Sequence, residues 1–327
     1  MTLSGEVVDW ETHPEAAFAA FIRSDAFSAL SCRPVRTGRT PPVLRNSSFR
    51  LYRYYFGRFL AWAEKERLDW ITASSLDLRR FLDTPPEQGG HKSRHSTIRQ
   101  RYLRLLERVY TRLGTEPNPA THAIYEMVMA GERGKDRMKS YLTDREATAF
   151  MSALPIAQPF DESRPDFTGW KNRRDRALLA VMLGAGLKVS EAVTLPVDAV
   201  GEPLSSGDVP VTLTTTRGNG IPHRSPCRAF AVPALLAWRK ERLLLGIPGT
   251  LLFPATSKGD GLERTGVYKT VRATLSRAGI GNKRLGPRTL RNTFAVAQLS
   301  AGHSVEVVSE WLGHRTLKST RLYLSRP

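Results

Sequence analysis

Three short stretches in the second half of this 327-residue chain gather side chains able to do chemistry. The first is Gly186-Leu187-Lys188-Val189-Ser190-Glu191-Ala192-Val193-Thr194-Leu195. The second is Arg288-Thr289-Leu290-Arg291-Asn292-Thr293-Phe294-Ala295. The third is Trp311-Leu312-Gly313-His314, followed after eight residues by Tyr323. Fixed cations, an imidazole and a phenol are groups that a reaction at an anionic phosphorus centre can use. Each has a plainer reading when taken alone. Tyr323, between Leu322 and Leu324, could simply pack; His314, directly after Gly313, could cap a helix C-terminus; Arg291 is one arginine among many.

Several other chemistries are excluded. There is no P-loop, and no cluster of carboxylates suited to a two-metal site. Cys32 and Cys227 have no CxxC spacing, which rules out a disulfide framework and a cysteine zinc site. His91 and His95 lack a carboxylate or cysteine at matching spacing, so they read as part of a basic loop and no metal is expected. Lys and Arg number 49 against 31 Asp and Glu, a net charge of +18. Such an excess points to a polyanionic partner, usually nucleic acid. The longest apolar runs, such as Ala177–Leu183, fall far short of the ~20 residues that span a bilayer. No basic segment followed by an apolar stretch opens the chain. A cytoplasmic protein with no membrane partner is therefore expected.

In their order and spacing the three stretches resemble the tyrosine recombinase (phage integrase) family, in particular its Xer-like site-specific recombinases. The resemblance covers residues 47 to 325. It implies a mainly α fold with a small β hairpin or sheet, arranged as a two-domain C-shaped clamp on duplex DNA. Residues 1–46 would be an N-terminal extension and 47–130 a helical core-binding (SAM-like) domain containing Asn118-Pro119-Ala120. The charged, glycine-containing 131–140 would be a linker. Residues 141–327 would be the catalytic domain, opening at Leu142-Thr143-Asp144-Arg145-Glu146. The implied function is site-specific recombination by cleavage and rejoining through a 3′-phosphotyrosine intermediate, as in integration, excision or resolution of a mobile element or plasmid. The implied partners are double-stranded DNA at a specific site and further copies of the chain, from dimer to tetramer, or a second recombinase. No cofactor is implied, and the location would be the bacterial nucleoid.

By the same resemblance Tyr323 is the nucleophile that becomes joined to a DNA 3′ phosphate. Arg291 clamps that phosphate, its planar fork suited to two oxygens. His314 donates to a non-bridging oxygen or relays the nucleophile's proton, and Glu191 positions the first cation. The chemistry accounts for such a set. Cations and donors fixed around the phosphate stabilise the transition state, and the tyrosine ester keeps the bond energy, so the strand is rejoined without ATP.

Three positions depart from the family pattern. Lys188 stands where the family has an arginine, and loses the bidentate fork. Arg217, in Thr216-Arg217-Gly218-Asn219-Gly220, stands where the family has the lysine that protonates the leaving 5′ oxygen. Arginine, with a pKa above ~12, is a poor proton donor. No lysine lies between Lys188 and Lys240, so the general acid is unassigned. Arg288 replaces a usual histidine, three residues from Arg291 and on the same helix face. Lys188, Arg217, Arg288 and Arg291 would form a rearranged cationic cradle. The alternative is a catalytically weak or silent DNA-binding relative that serves as accessory subunit or regulator. A type IB topoisomerase is a further class, against which the two-domain layout argues. The sequence also stops four residues after Tyr323, where many relatives carry a helix that docks into a neighbouring protomer. Such an exchange is then expected from another segment, such as 1–46.

The elements that must position these residues are partly legible. Residues 1–46 read as weakly structured around one short helix at Ala16–Ile22, followed by the basic, helix-breaking stretch Arg33–Pro42. Ser47 and Ser48 can cap an aromatic-rich helix to Arg67. Ile98, Tyr102, Leu105, Leu106, Val109 and Leu113 form one apolar stripe at the helical period. Arg101, Arg104, Arg108 and Arg112 line a different face, either solvated or lying along DNA phosphates; with only Glu107 for balance, phosphate contact is the expectation. Thr143 and Glu146 form a capping box, and a second helix is expected from Arg173 to Gly186. One hairpin is expected, with strand Pro210–Thr216, a turn at Gly218-Asn219-Gly220 and a return through Ala229–Val232.

Overall fold

The structure is a computed structural model that describes residues 9–30, 44, 46–84, 96–130, 140–214, 222–281 and 285–324. The stretch Arg33–Pro42, His91, His95, residues 131–139 and Arg217 lie outside the described residues. The chain divides into two compact units, Met1–Arg137 and Met138–Pro327.

The first unit is helical: α1 (Pro14–Phe21), α2 (Asp25–Ala29), α3 (Asn46–Lys65), α4 (Ser75–Asp83), α5 (Ser96–Leu113) and α6 (Pro119–Met129). The helix starts follow from side-chain chemistry. Ser74 and Asp77 form a reciprocal capping box at α4, and the Asn118 side chain accepts from the backbone N–H groups of Ala120 and Thr121 at α6. Such caps satisfy amides that the helix leaves without partners. The stripe on α5 is wider than its period suggests. Tyr102, Leu105, Leu106 and Val109 are buried, but so are Leu103 and Tyr110, whose hydroxyl donates to Trp70 O at 2.6 Å.

Residues 9–30 correct the expectation of a weakly structured extension. Trp10, Phe18, Phe21, Ile22 and Phe27 are all buried in the core of this unit. Phe18 stacks on Phe56 of α3 at 4.3 Å between centroids, and Trp10 meets the same ring edge-on at 6.0 Å. Aromatic burial on this scale is the physical reason the segment folds, since each ring removes a large apolar area from water.

The second unit carries α7 (Asp144–Ser152), α8 (Trp170–Gly184), α9 (Val189–Ala192), the hairpin β1 (Val209–Thr214) and β2 (Pro222–Cys227), then α10 (Val232–Leu244), α11 (Arg264–Arg277), α12 (Pro287–Ser300), α13 (Val305–Trp311) and α14 (Lys318–Arg321). The Thr143–Glu146 capping box is present at α7, with Thr143 N donating to Glu146 Oε2 at 2.8 Å. Helix α8 is the spine of the unit: Ala177 through Leu183 are all buried. β1 and β2 pair antiparallel, from Val209 opposite Cys227 to Thr214 opposite Pro222. The return strand is thus Pro222–Cys227, not Ala229–Val232. Residues Ala229–Ala231 form a single 3₁₀ turn that leads into α10. A separate small cluster, Phe294, Ala295, Val296, Val308, Leu312 and Tyr323, ties α12, α13 and the end of the described chain together.

Candidate active site

Helix α12 opens with Pro287 in its first turn, where a missing N–H costs nothing. It carries Arg288, Arg291 and Asn292 in its first two turns. Arg291 is 5% exposed and Asn292 4%, whereas Arg288 is exposed. The Arg291 guanidinium is fixed by three hydrogen bonds. Nη1 donates to Gly186 O at 2.9 Å and to Glu191 Oε2 at 3.3 Å, and Nη2 donates to Leu312 O. Glu191 also takes Lys188 Nζ on its other oxygen at 2.5 Å, and the Lys188 backbone N–H at 2.8 Å. One buried carboxylate therefore holds both cations, which is how their charge is tolerated away from water. Burial pushes the Arg291 guanidinium below its ordinary pKa, and Glu191 opposes that push.

Two glycines make these approaches possible. Gly186 (φ +64°) lies so close to α12 that a Cβ would stand 2.6 Å from Phe294 Cδ1. Gly313 (φ +56°) ends α13 in the left-handed conformation that closes helices. A Cβ on Gly313 would meet the His223 ring at 2.6 Å. Any other residue at either position would add strain as well as a clash.

Tyr323 is 6% exposed, and its hydroxyl donates to Asn292 Oδ1 at 3.1 Å. Asn292 Nδ2 donates in turn to Ser140 O at 2.9 Å. The His314 ring lies nearly parallel to the Tyr323 ring, 9° apart in plane and 6.3 Å between centroids. His314 Nδ1 is 2.8 Å from Thr320 Oγ1, at the end of α14. Burial pushes the Tyr323 phenol above its usual pKa, while Arg291 and Arg288 pull it down. A phenol facing two guanidiniums is the electrostatic setting that favours an oxygen nucleophile near an anion.

The second unit thus brings Lys188, Glu191, Arg291, His314 and Tyr323 into one connected cluster, with Arg288 acting on it electrostatically. Arg217 lies outside the described residues. Sequence reasoning gave no role to two members. Asn292 was visible inside the second stretch but carries no chemistry of its own. His223 lies in β2, which the sequence pattern does not mark as a strand; its ring nitrogens are buried and make no hydrogen bond among the described residues. Burial pushes the His223 imidazole below its ordinary pKa, Glu191 pulls it up, and Lys188 and Arg291 pull it further down.

In the first unit the expected arginine face is split. Arg101 and Arg104 are exposed, and Arg104 pairs with Glu107 at 2.9 Å. Arg108 lies over the Phe27 ring at 4.7 Å, and Arg112 over Phe21 at 6.0 Å. The outer two turns of that face serve packing of the 9–30 segment through cation–π contact. Arg101, Arg104 and Arg108 line a groove of about 340 Å³ with Tyr52 and Tyr55.

Among the described residues no helix is long and apolar enough to cross a membrane. Over 272 residues the chain is 23% identical to tyrosine recombinase XerD of Proteus mirabilis, covering 83% of this chain and 80% of the relative. It is 32% identical over 189 residues to XerD of Corynebacterium glutamicum, covering 56% of this chain and 55% of that relative. The fold is similar to XerH site-specific recombinase bound to palindromic difH substrate (TM-score 0.64, 20% identity, covering 85% of this chain and 76% of the other). It is also similar to the Tn1549 transposon integrase in complex with transposon right end DNA (TM-score 0.62, 15% identity, covering 87% and 90%). Residues 142–326, more than half of the chain and all of the cluster described above except its Ser140 anchor, match the phage integrase family. This protein belongs to the phage integrase family, whose members among its relatives are tyrosine recombinases.

Proposed function

We propose that the chain is a site-specific DNA recombinase that cuts and rejoins duplex DNA through a covalent bond between Tyr323 and a 3′ phosphate. The observation that carries this reading is the Tyr323 hydroxyl seated on Asn292, the helix neighbour of Arg291, with His314 stacked on the same ring. Nucleophile, phosphate cation and second donor then share one small volume.

Arg291 has five N–H hydrogens, three of them committed to Gly186, Glu191 and Leu312. Among the described residues the Nε hydrogen and one Nη2 hydrogen are uncommitted, and these would serve a phosphate. A guanidinium so anchored pays no reorganisation when charge develops on the non-bridging oxygens. Lys188, on the same carboxylate, adds a second cation, and Arg288 a third at the exposed start of α12. The partners in this reading are duplex DNA at a specific site and other copies of the chain, in the cytoplasm at the nucleoid. The +18 net charge suits that anion.

The test uses a nicked duplex carrying a sequence that the chain itself has selected from randomised DNA. A protein–DNA adduct resistant to denaturant, unaffected by EDTA and leaving a free 5′ hydroxyl supports the reading. Tight selective binding with no adduct would instead make this a DNA-binding relative without strand-cutting activity.

A further inference from the structure

Strand cleavage by Tyr323 leaves a 5′ oxygen that needs a proton, and Arg217 is a poor source of one. We propose that His223, on β2, is the general acid that protonates the leaving 5′ oxygen. The inference rests on the recombinase reading above.

His223 is the second residue of β2, paired across the hairpin with Leu213. Its ring lies against Gly313, where an added Cβ would stand 2.6 Å from Cε1 and 2.8 Å from either ring nitrogen. Gly313 sits between Leu312, whose carbonyl anchors Arg291, and His314. The imidazole is therefore next to the backbone that fixes the phosphate cation. Both of its nitrogens are shielded from solvent and unbonded among the described residues. Leaving both unmade is costly, and native structures satisfy nearly all such groups. His314, by contrast, has Nδ1 engaged with Thr320. Among the described residues the His223 ring has no partner, and in this proposal a substrate oxygen supplies one.

The charged groups acting on His223 are Glu191 and Lys188 from α9 and its N-terminal flank, and Arg291 from α12. Burial with these two cations holds the imidazole towards its neutral form. A phosphate anion seated on Arg291 reverses that balance and favours imidazolium. The proton is thus loaded by the arrival of substrate. In cleavage, Tyr323 Oη forms a bond to phosphorus and the P–O5′ bond breaks, its electron pair going to O5′. O5′ takes the His223 proton, leaving neutral imidazole and a 5′ hydroxyl, while the Tyr323 hydroxyl proton passes to water. Rejoining runs these transfers backwards.

The experiment compares two versions of the selected nicked duplex, one with the natural bridging oxygen and one with a 5′-bridging sulfur at the cleaved bond. A thiolate leaves without needing a proton. His223→Gln should slow adduct formation on the oxygen duplex by about 10²–10⁴-fold, the usual worth of a positioned acid, and should run near the parent rate on the sulfur duplex. His223→Asn serves as a second variant, and melting temperature shows that each is folded. Arg217→Ala should show no sulfur rescue, since a charge-stabilising residue is needed on both. A folded His223 variant that matches the parent on oxygen, or is equally slow on both duplexes, overturns the proposal while the recombinase reading stands. A parent chain that forms no adduct even on sulfur overturns both.

Discussion

The hydroxyl of Tyr323 donates to Asn292 Oδ1, and Asn292 is the residue that follows Arg291 on α12. One turn of helix therefore holds the Arg291 guanidinium by its own anchors and the phenol by its neighbour. Removing that acceptor breaks a buried hydrogen bond, at a cost of about 0.5–1.5 kcal/mol. Asn292→Ala should lower the melting temperature, and combining it with Tyr323→Phe should cost less than the two single losses added. Strictly additive losses in a double-mutant cycle would show that the two side chains are not coupled.

Lys188 shares the Glu191 carboxylate with Arg291. Arginine there could bond Glu191 and still present a second N–H to a phosphate. Lys188→Arg is expected to keep or raise the rate of adduct formation, and Lys188→Ala to lower it about 100-fold, as for loss of one preorganised donor. Single-turnover rates check this. Equal rates for parent and both variants would remove Lys188 from the site.

The two ends of the arginine face on α5 should behave differently. Arg101 is exposed, while Arg108 lies across Phe27. Arg101→Ala should weaken DNA binding for every sequence and reduce the salt slope by about 1. Arg108→Ala should instead lower the melting temperature of the protein without DNA. Binding isotherms across a salt series, with thermal melts alongside, separate these outcomes.

Trp10 is 4% exposed and meets Phe18, Phe21, Phe56 and Trp70. Trp10→Ala should cost about 3–5 kcal/mol in chemical denaturation, the range for emptying a large aromatic site. A change under about 0.5 kcal/mol, the size of an ordinary surface substitution, would mean that residues 9–30 do not belong to the core.

What was legible in the sequence was what local chemistry decides. The Thr143–Glu146 capping box and the apolar stripe on α5 need only neighbours three to four residues away, and both stand. The 9–30 segment was opaque because its rings gain their burial from Phe56 and Trp70, tens of residues downstream. The same distance effect hid the packing role of Arg108 and Arg112. Strand β2 reads Pro-His-Arg-Ser-Pro-Cys, with neither alternation nor β-branched residues. Its prolines are tolerated because a two-stranded sheet is all edge. The apolar Ala229–Val232 is the more strand-like segment by composition, so His223 carries no strand signal of its own. Of the cluster itself, the three motif stretches contain Lys188, Glu191, Arg288, Arg291, His314 and Tyr323. Asn292 and His223 entered only through their three-dimensional neighbours.

In the proposed reaction Tyr323 Oη carries the covalent bond to DNA. The most direct measurement is mass spectrometry of the digested adduct formed on the selected nicked duplex. A nucleotide-bearing peptide that contains Tyr323 is expected, and no adduct from Tyr323→Phe, with binding nearly unchanged because only a hydroxyl is lost. A nucleotide carried by any other residue, or an adduct that survives Tyr323→Phe, would contradict it.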